Sequence, residues 1–167
     1  MRVRQRLIFE KDYGIIKRTM KEGGTGLERT FLVRVYTRQT INGETEEIRM
    51  ETTGIWSGTA DAYTLRYTEA DGNLRGAVTL LQVENGKCVT VQREGDFESH
   101  MVIEENVRHV SQYVTPYGTF MLGVNASTVE SAMDENGGTL RFRYSTDVDM
   151  VPLGEIAFEI TLSENER

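Results

Sequence analysis

The chain reads as all-β, an up-and-down antiparallel β-barrel of about eight to ten strands. Three observations predict this. Apolar and polar residues alternate with a period of two along most of the chain. Turn signals rich in Asn-Gly and Asp-Gly interrupt the alternation at short intervals. Helical 3.6-residue spacing is hard to find. Strands joined by short loops pair antiparallel with their sequence neighbours, and closing such a meander removes exposed sheet edges. A two-layer sandwich is the second choice.

Taken in order, residues 1–29 form a basic N-terminal extension. Arg2, Arg4 and Arg6 alternate with Val3, Gln5 and Leu7, which suggests an edge strand. An amphipathic helix over 11–21 is the weaker alternative, because Gly14 would sit near its start. The E-G-G-T-G run at 22–26 then reads as a loop into a strand from Thr30 to Ile41. The barrel domain is expected over 30–163, with a short tail at 164–167. Within it, T-E-E-I-R-M-E-T-T (45–53) puts Ile48 and Met50 on one face and Glu47, Arg49 and Glu51 on the other. T-L-R-F-R-Y (139–144) sets Leu140, Phe142 and Tyr144 against Arg141 and Arg143. E-I-A-F-E-I-T-L (155–162) aligns Ile156, Phe158, Ile160 and Leu162. Side chains change face at every strand residue, so each run is a half-buried strand.

Between the runs lie I-N-G-E (41–44), A-D-G-N (70–73), E-N-G-K (84–87), E-G-D (94–96), E-E-N (104–106), T-P-Y-G (115–118) and D-E-N-G-G (134–138). Y-V-T-P-Y-G (113–118) raises a choice between an aromatic ligand-gripping loop and a corner. It separates two alternating runs, Val107 to Thr115 and Thr119 to Val129, so the corner is preferred. Pro116 suits the second position of a four-residue turn and Gly118 the fourth. Tyr113 falls on the strand before the turn, where it can point inward.

The chain has 167 residues and a formal net charge of −7, with 16 glycines and 2 prolines. That length suits one domain. An acidic chain repels phosphate backbones, so nucleic acid is not an expected partner. The first 22 residues nevertheless carry seven Lys/Arg against three Asp/Glu. This basic stretch could dock an acidic partner or the acidic part of a second copy, giving a homodimer. A single cysteine, Cys88, excludes an internal disulfide and any cysteine-based zinc cluster, and fits a reducing compartment. The N-terminus lacks the apolar run of a signal peptide, and no segment approaches the ~20 apolar residues of a spanning helix. These features predict a soluble cytoplasmic protein with no membrane partner.

From about residue 30 to 163 the sequence resembles the YwiB-like family of uncharacterised bacterial proteins. The resemblance rests on Y-T-L-R-Y-T-E (63–69), Thr79, R-E-G (93–95) and Met101, then Y-V-T-P-Y-G and L-R-F-R-Y (140–144). It implies a calycin-like β-barrel related in shape to lipocalins, in a domain of unknown function. It implies no reaction and no catalytic residues.

Nothing else points to chemistry. G-x-S-x-G, H-E-x-x-H, C-x-x-C, P-loop and G-x-G-x-x-G motifs are all missing, so no enzyme activity, no cofactor and no metal is expected. His100 and His109 lie on strands flanking a turn near Glu105. If paired positions sum to 209, the histidines face each other and could share a metal; if they sum to 210, Met101 faces His109. Inward placement of Phe97, Met101 and Ile103, with Tyr113 opposite Phe97, favours 210. Polar residues on apolar faces are the better clue. Arg93 alternates with Val89 and Val91, and Tyr63, Leu65, Tyr67 and Glu69 form a second such row. An inward guanidinium must find a carboxylate or several acceptors. Arg93 with Glu69 would close one end of the barrel structurally, and that reading is favoured. The sharper alternative has Arg93, Tyr63, Tyr67 and Tyr113 holding the anionic head of a small ligand. Trp56 could plug a mouth or stack on a ring; burial is the favoured role. The functional expectation is thus a non-catalytic barrel that takes a small, partly apolar anion. The alternative is an interaction module whose filled barrel is only a scaffold.

Overall fold

A computed structural model describes residues 27–95, 99–115 and 118–165, with only the backbone described at 73, 112–115 and 118. The edge strand or helix expected within residues 1–26 lies outside the described residues, as do Phe97, Pro116 and Tyr117.

Ten strands follow in sequence: β1 (Arg29–Ile41), β2 (Glu44–Gly58), β3 (Ala62–Thr68), β4 (Val78–Glu84), β5 (Cys88–Glu94), β6 (Ser99–Glu104), β7 (Arg108–Thr115), β8 (Gly118–Asp134), β9 (Gly137–Val148) and β10 (Val151–Ser163). They form one antiparallel sheet in the order β6-β5-β4-β3-β2-β1-β10-β9-β8-β7. Each strand lies beside its sequence neighbour except at two places. β1 pairs with β10, through Val33–Leu162 and Val35–Ile160, which brings the two ends of the domain together. β6 and β7 are the two edges of the ring.

Tight turns give this order its physical basis. Asn42-Gly43 and Asn85-Gly86 both take positive φ, as tight hairpins require. Thr115 pairs with Gly118 at the end of the β7–β8 ladder, while Pro116 and Tyr117 of the expected corner lie outside the described residues. One reversal, between β9 and β10, carries no glycine signal. Asp149 and Met150 adopt φ of 49° and 69°. This left-handed pair is tied down from β8: Asp149 N–H donates to the Met121 carbonyl at 2.8 Å, and Met121 N–H donates to Asp149 Oδ1 at 2.9 Å.

The ring is nearly closed. β6 and β7 meet at one bridge, Glu104 with Val107, and a second bridge joins Glu105 to Ala126. The bridged positions sum to 211, so neither histidine register is realised: the strands diverge instead of forming a ladder. His109 Nε2 lies 2.7 Å from Glu104 Oε2, and Gln92 is the ladder partner of His100. Side chains close the seam that the backbone leaves open. Lys87 Nζ donates to Glu105 at 3.0 Å and to the Val129 carbonyl at 3.1 Å. Val129 N–H donates to Glu105 Oε2 at 2.8 Å, and the Tyr63 and Ser131 hydroxyls are 2.8 Å apart.

The interior is a continuous apolar core that includes Val33, Leu65, Leu81, Ile103, Leu140 and Ile160, all essentially inaccessible to water. Burying each such side chain contributes about 1.5–3 kcal/mol. Gly54 makes room for it. A Cβ there would stand 2.7 Å from Val33 Cγ2 and 3.0 Å from the Arg66 carbonyl. The expected inner face fails at one point. Met50 is buried, but Ile48 is 41% exposed. β2 pairs with β3 only over Gly54–Gly58, so its first half runs beyond the barrel wall with a neighbour on one side only. Among the described residues no helix is long and apolar enough to cross a membrane.

Candidate ligand-binding site

The register of β3 to β6 places Tyr67, Thr79, Arg93 and Ser99 in one row across four strands. Thr79 is fully buried and Tyr67 nearly so. Glu69 follows β3 at the mouth of a loop that leaves and rejoins the sheet. Its N–H donates to the Ala77 carbonyl at 2.8 Å, and its carbonyl accepts from Gly76 N–H at 2.9 Å. The carboxylate is thereby turned back over the row. Thr79 Oγ1 donates to Glu69 Oε1 at 2.6 Å.

Arg93 approaches the same oxygen. Its Nε is 3.6 Å from Glu69 Oε1, with side-chain exposures of 23% for Arg93 and 9% for Glu69. That separation is an ion pair, not a hydrogen bond. Arg93 Nε is itself buried and has no hydrogen-bond partner. A guanidinium has five N–H donors, so this one retains unused capacity.

Two phenols face this charge. Burial pushes the Tyr67 hydroxyl well above its ordinary pKa; the Glu69 charge adds to the rise, while Arg93 and a hydrogen bond with Thr79 oppose it. Burial likewise raises Tyr144, from β9, and Arg93 again opposes the rise. Both phenols therefore stay protonated at neutral pH and can donate hydrogen bonds. A cation with spare donors beside two neutral O–H groups suits recognition of an anion.

The structure brings together Arg93, Glu69 and Tyr67 from the expected set. Tyr63 is elsewhere: four residues back along β3, about 13 Å at strand rise, its hydroxyl joined to Ser131 and its ring 5.9 Å from Trp56. Burial raises its pKa as well, and the Ser131 hydrogen bond opposes this. Trp56 is buried in the core. Tyr113 pairs with Phe120 in the β7–β8 ladder, and its side chain lies outside the described residues. Thr79 and Tyr144 were not singled out from the sequence as site residues. Each had a legible sign: a polar group in an alternating run, on the side of the strand that carries the apolar residues. Among the described residues, no group of three or more His, Cys, Asp or Glu side chains is gathered to hold a metal.

No curated protein matches the chain. A solved structure, the ywiB protein from Bacillus subtilis, superposes with a TM-score of 0.64 at 20% identity, over 85% of this chain and 98% of that one. At that identity the likeness speaks for the fold. A family model described as "Domain of unknown function (DUF1934)" matches residues 33–160, nearly the whole barrel from β1 to β10. The chain belongs to this YwiB-like family of unknown function.

Proposed function

We propose that the protein is a non-catalytic, calycin-like barrel that binds a small, partly apolar anion at its Arg93 end, in the cytoplasm. One observation carries the reading: Arg93 Nε is buried without a hydrogen-bond partner, 3.6 Å from Glu69 and within the electrostatic reach of two neutral phenols. An unpaired buried donor is costly, and an incoming carboxylate would satisfy it. Glu69 orients the guanidinium, Tyr67 holds Thr79 in place, and Tyr144 supplies a further donor. The apolar body of the ligand would lie against the aromatic wall formed by Phe142 and Phe158, whose rings stack at 4.6 Å. The single cysteine and the acidic composition fit an intracellular setting.

A second reading is an interaction module in which the barrel is only a scaffold. The internal Arg93–Glu69 pair favours it, because such a pair can be purely structural. Thermal-shift measurements with short-chain and aromatic carboxylates separate the two. Ligand binding predicts stabilisation of the wild type that is lost in Arg93→Met and kept in Trp56→Phe. A wild type that responds to none of the panel, and carries no small molecule in native mass spectrometry, would leave the scaffold reading standing.

A further inference from the structure

A groove lies on the opposite face of the sheet from Arg93. β1, β10, β9 and β8 bound an outward groove of about 630 Å³. Register aligns Arg38 with Ala157 and Ala157 with Arg143, so two arginines flank one alanine across three strands. Their Cα atoms are therefore about 10 Å apart, two inter-strand spacings. Two long side chains can converge over the methyl group between them.

Both arginines are exposed, and among the described residues neither makes an ion pair or a side-chain hydrogen bond. Neighbouring arginines are occupied: Arg34 with Glu51 at 2.9 Å, Arg141 with Glu159 at 2.7 Å, and Arg108 with Asp147 at 2.8 Å. Two of the three nearby acids are already engaged, and Glu155, two residues from Ala157, is the third. Glu47, opposite Arg38, accepts from the Tyr36 hydroxyl at 3.0 Å and lies 3.6 Å from Arg49. Glu159, one row from Arg143, is held by Arg141.

The rest of the lining mixes asparagines, hydroxyls and Glu155 with apolar Ala126, Ile156 and Ala157 and with Tyr144. A register shift between Ala126 and Thr128 inserts Ser127 into β8, and its hydroxyl donates to the Arg143 carbonyl at 3.4 Å. Bulges of this kind re-aim a side chain out of the ladder. Asn125 pairs with Ser145 in the adjoining row, and Ser145 pairs with Glu155. Hydroxyls, an amide and one carboxylate beside two guanidiniums form a set that recognises a phosphate joined to a hydroxyl-rich body. Arginine's planar fork fits phosphate oxygens, and Glu155 can accept from ligand hydroxyls.

We propose that this groove binds a phosphorylated polyol, its phosphate between Arg38 and Arg143. The test is calorimetric titration of the full chain with glucose 6-phosphate and with inorganic phosphate. Glucose 6-phosphate should bind saturably and more tightly than phosphate. Arg38→Gln and Arg143→Gln should each weaken it about tenfold, the effect of losing one charged hydrogen-bonding contact. Both positions are on the surface, so the variants should fold, with unchanged circular dichroism. Arg93→Met should bind glucose 6-phosphate like the wild type, which separates this site from the barrel interior. No saturable binding by the wild type, equal affinity for the two probes, or binding that survives both glutamine substitutions would overturn the proposal. So would loss of binding in Arg93→Met alone.

Discussion

At the Trp56 end of the barrel, Tyr63 packs its ring on Trp56 and shares a hydroxyl–hydroxyl hydrogen bond with Ser131, while Leu65 and Leu81 fill the space between walls. At the Arg93 end, the same strands β3, β4 and β5 carry Glu69, Thr79 and Arg93 inward. Two rows of one sheet thus solve opposite problems. The first removes apolar surface from water and satisfies its one internal hydroxyl. The second keeps a charge pair partly wet, and its unused donor belongs to a cation, whereas the unused donor of the first, Trp56 Nε1, is neutral. An alternating strand specifies which face is inside, but not whether that inside is sealed.

Substitutions at the two ends sharpen this contrast, and the largest effect belongs to the sealed end. Trp56→Ala should destabilise by about 3–5 kcal/mol, the usual range for deleting a buried aromatic. Urea unfolding reads this directly, and a loss under about 1 kcal/mol would mean that end is not packed. Arg93→Met should cost less than the about 3–5 kcal/mol of breaking a fully buried pair, because the guanidinium is partly exposed. Adding Glu69→Leu to it should restore much of the loss by removing the abandoned carboxylate. A double variant weaker than the single one would show that Glu69 has a role beyond pairing. Tyr63→Phe should cost about 1 kcal/mol, one internal hydrogen bond, and leave ligand responses untouched.

The smallest effect concerns the seam. Hydrogen bonds from Val129 N–H and Lys87 hold the Glu105 carboxyl below its ordinary pKa of 4.5. A carboxylate with a depressed folded pKa stabilises the protein fully above its unfolded pKa and loses that contribution as pH falls through the folded value. Glu105→Gln should therefore lower stability modestly at neutral pH, converge on wild type in acid, and so flatten the decline below about pH 4.5. An acid profile identical to wild type would remove Glu105 from the account of closure.

Much of the fold was legible because period-two alternation and Asn-Gly turns are local signals. Leu140, Phe142, Ile160 and Leu162 fall on the buried side as the alternation requires. What escaped was decided by distant neighbours. Ile48 has the right parity, but β2 outruns β3 and leaves it exposed. The Asp149–Met150 reversal relies on Met121, which is far away in sequence. The β6–β7 register failed because both options assumed a ladder, whereas the chain bridges once and separates. At the site, the inward set around Arg93 could be read from parity alone. Tyr63 and Tyr67 share that parity, and only the third dimension assigns them to different ends.

The most direct test is the NMR resonance of the Arg93 Nε–H group during titration with octanoate, a small anion with an apolar tail. A vacant buried donor should gain a partner, so the resonance should shift saturably, together with signals from Tyr67 and Tyr144. A resonance that stays fixed while octanoate perturbs only surface groups would contradict an anion site at this end of the barrel.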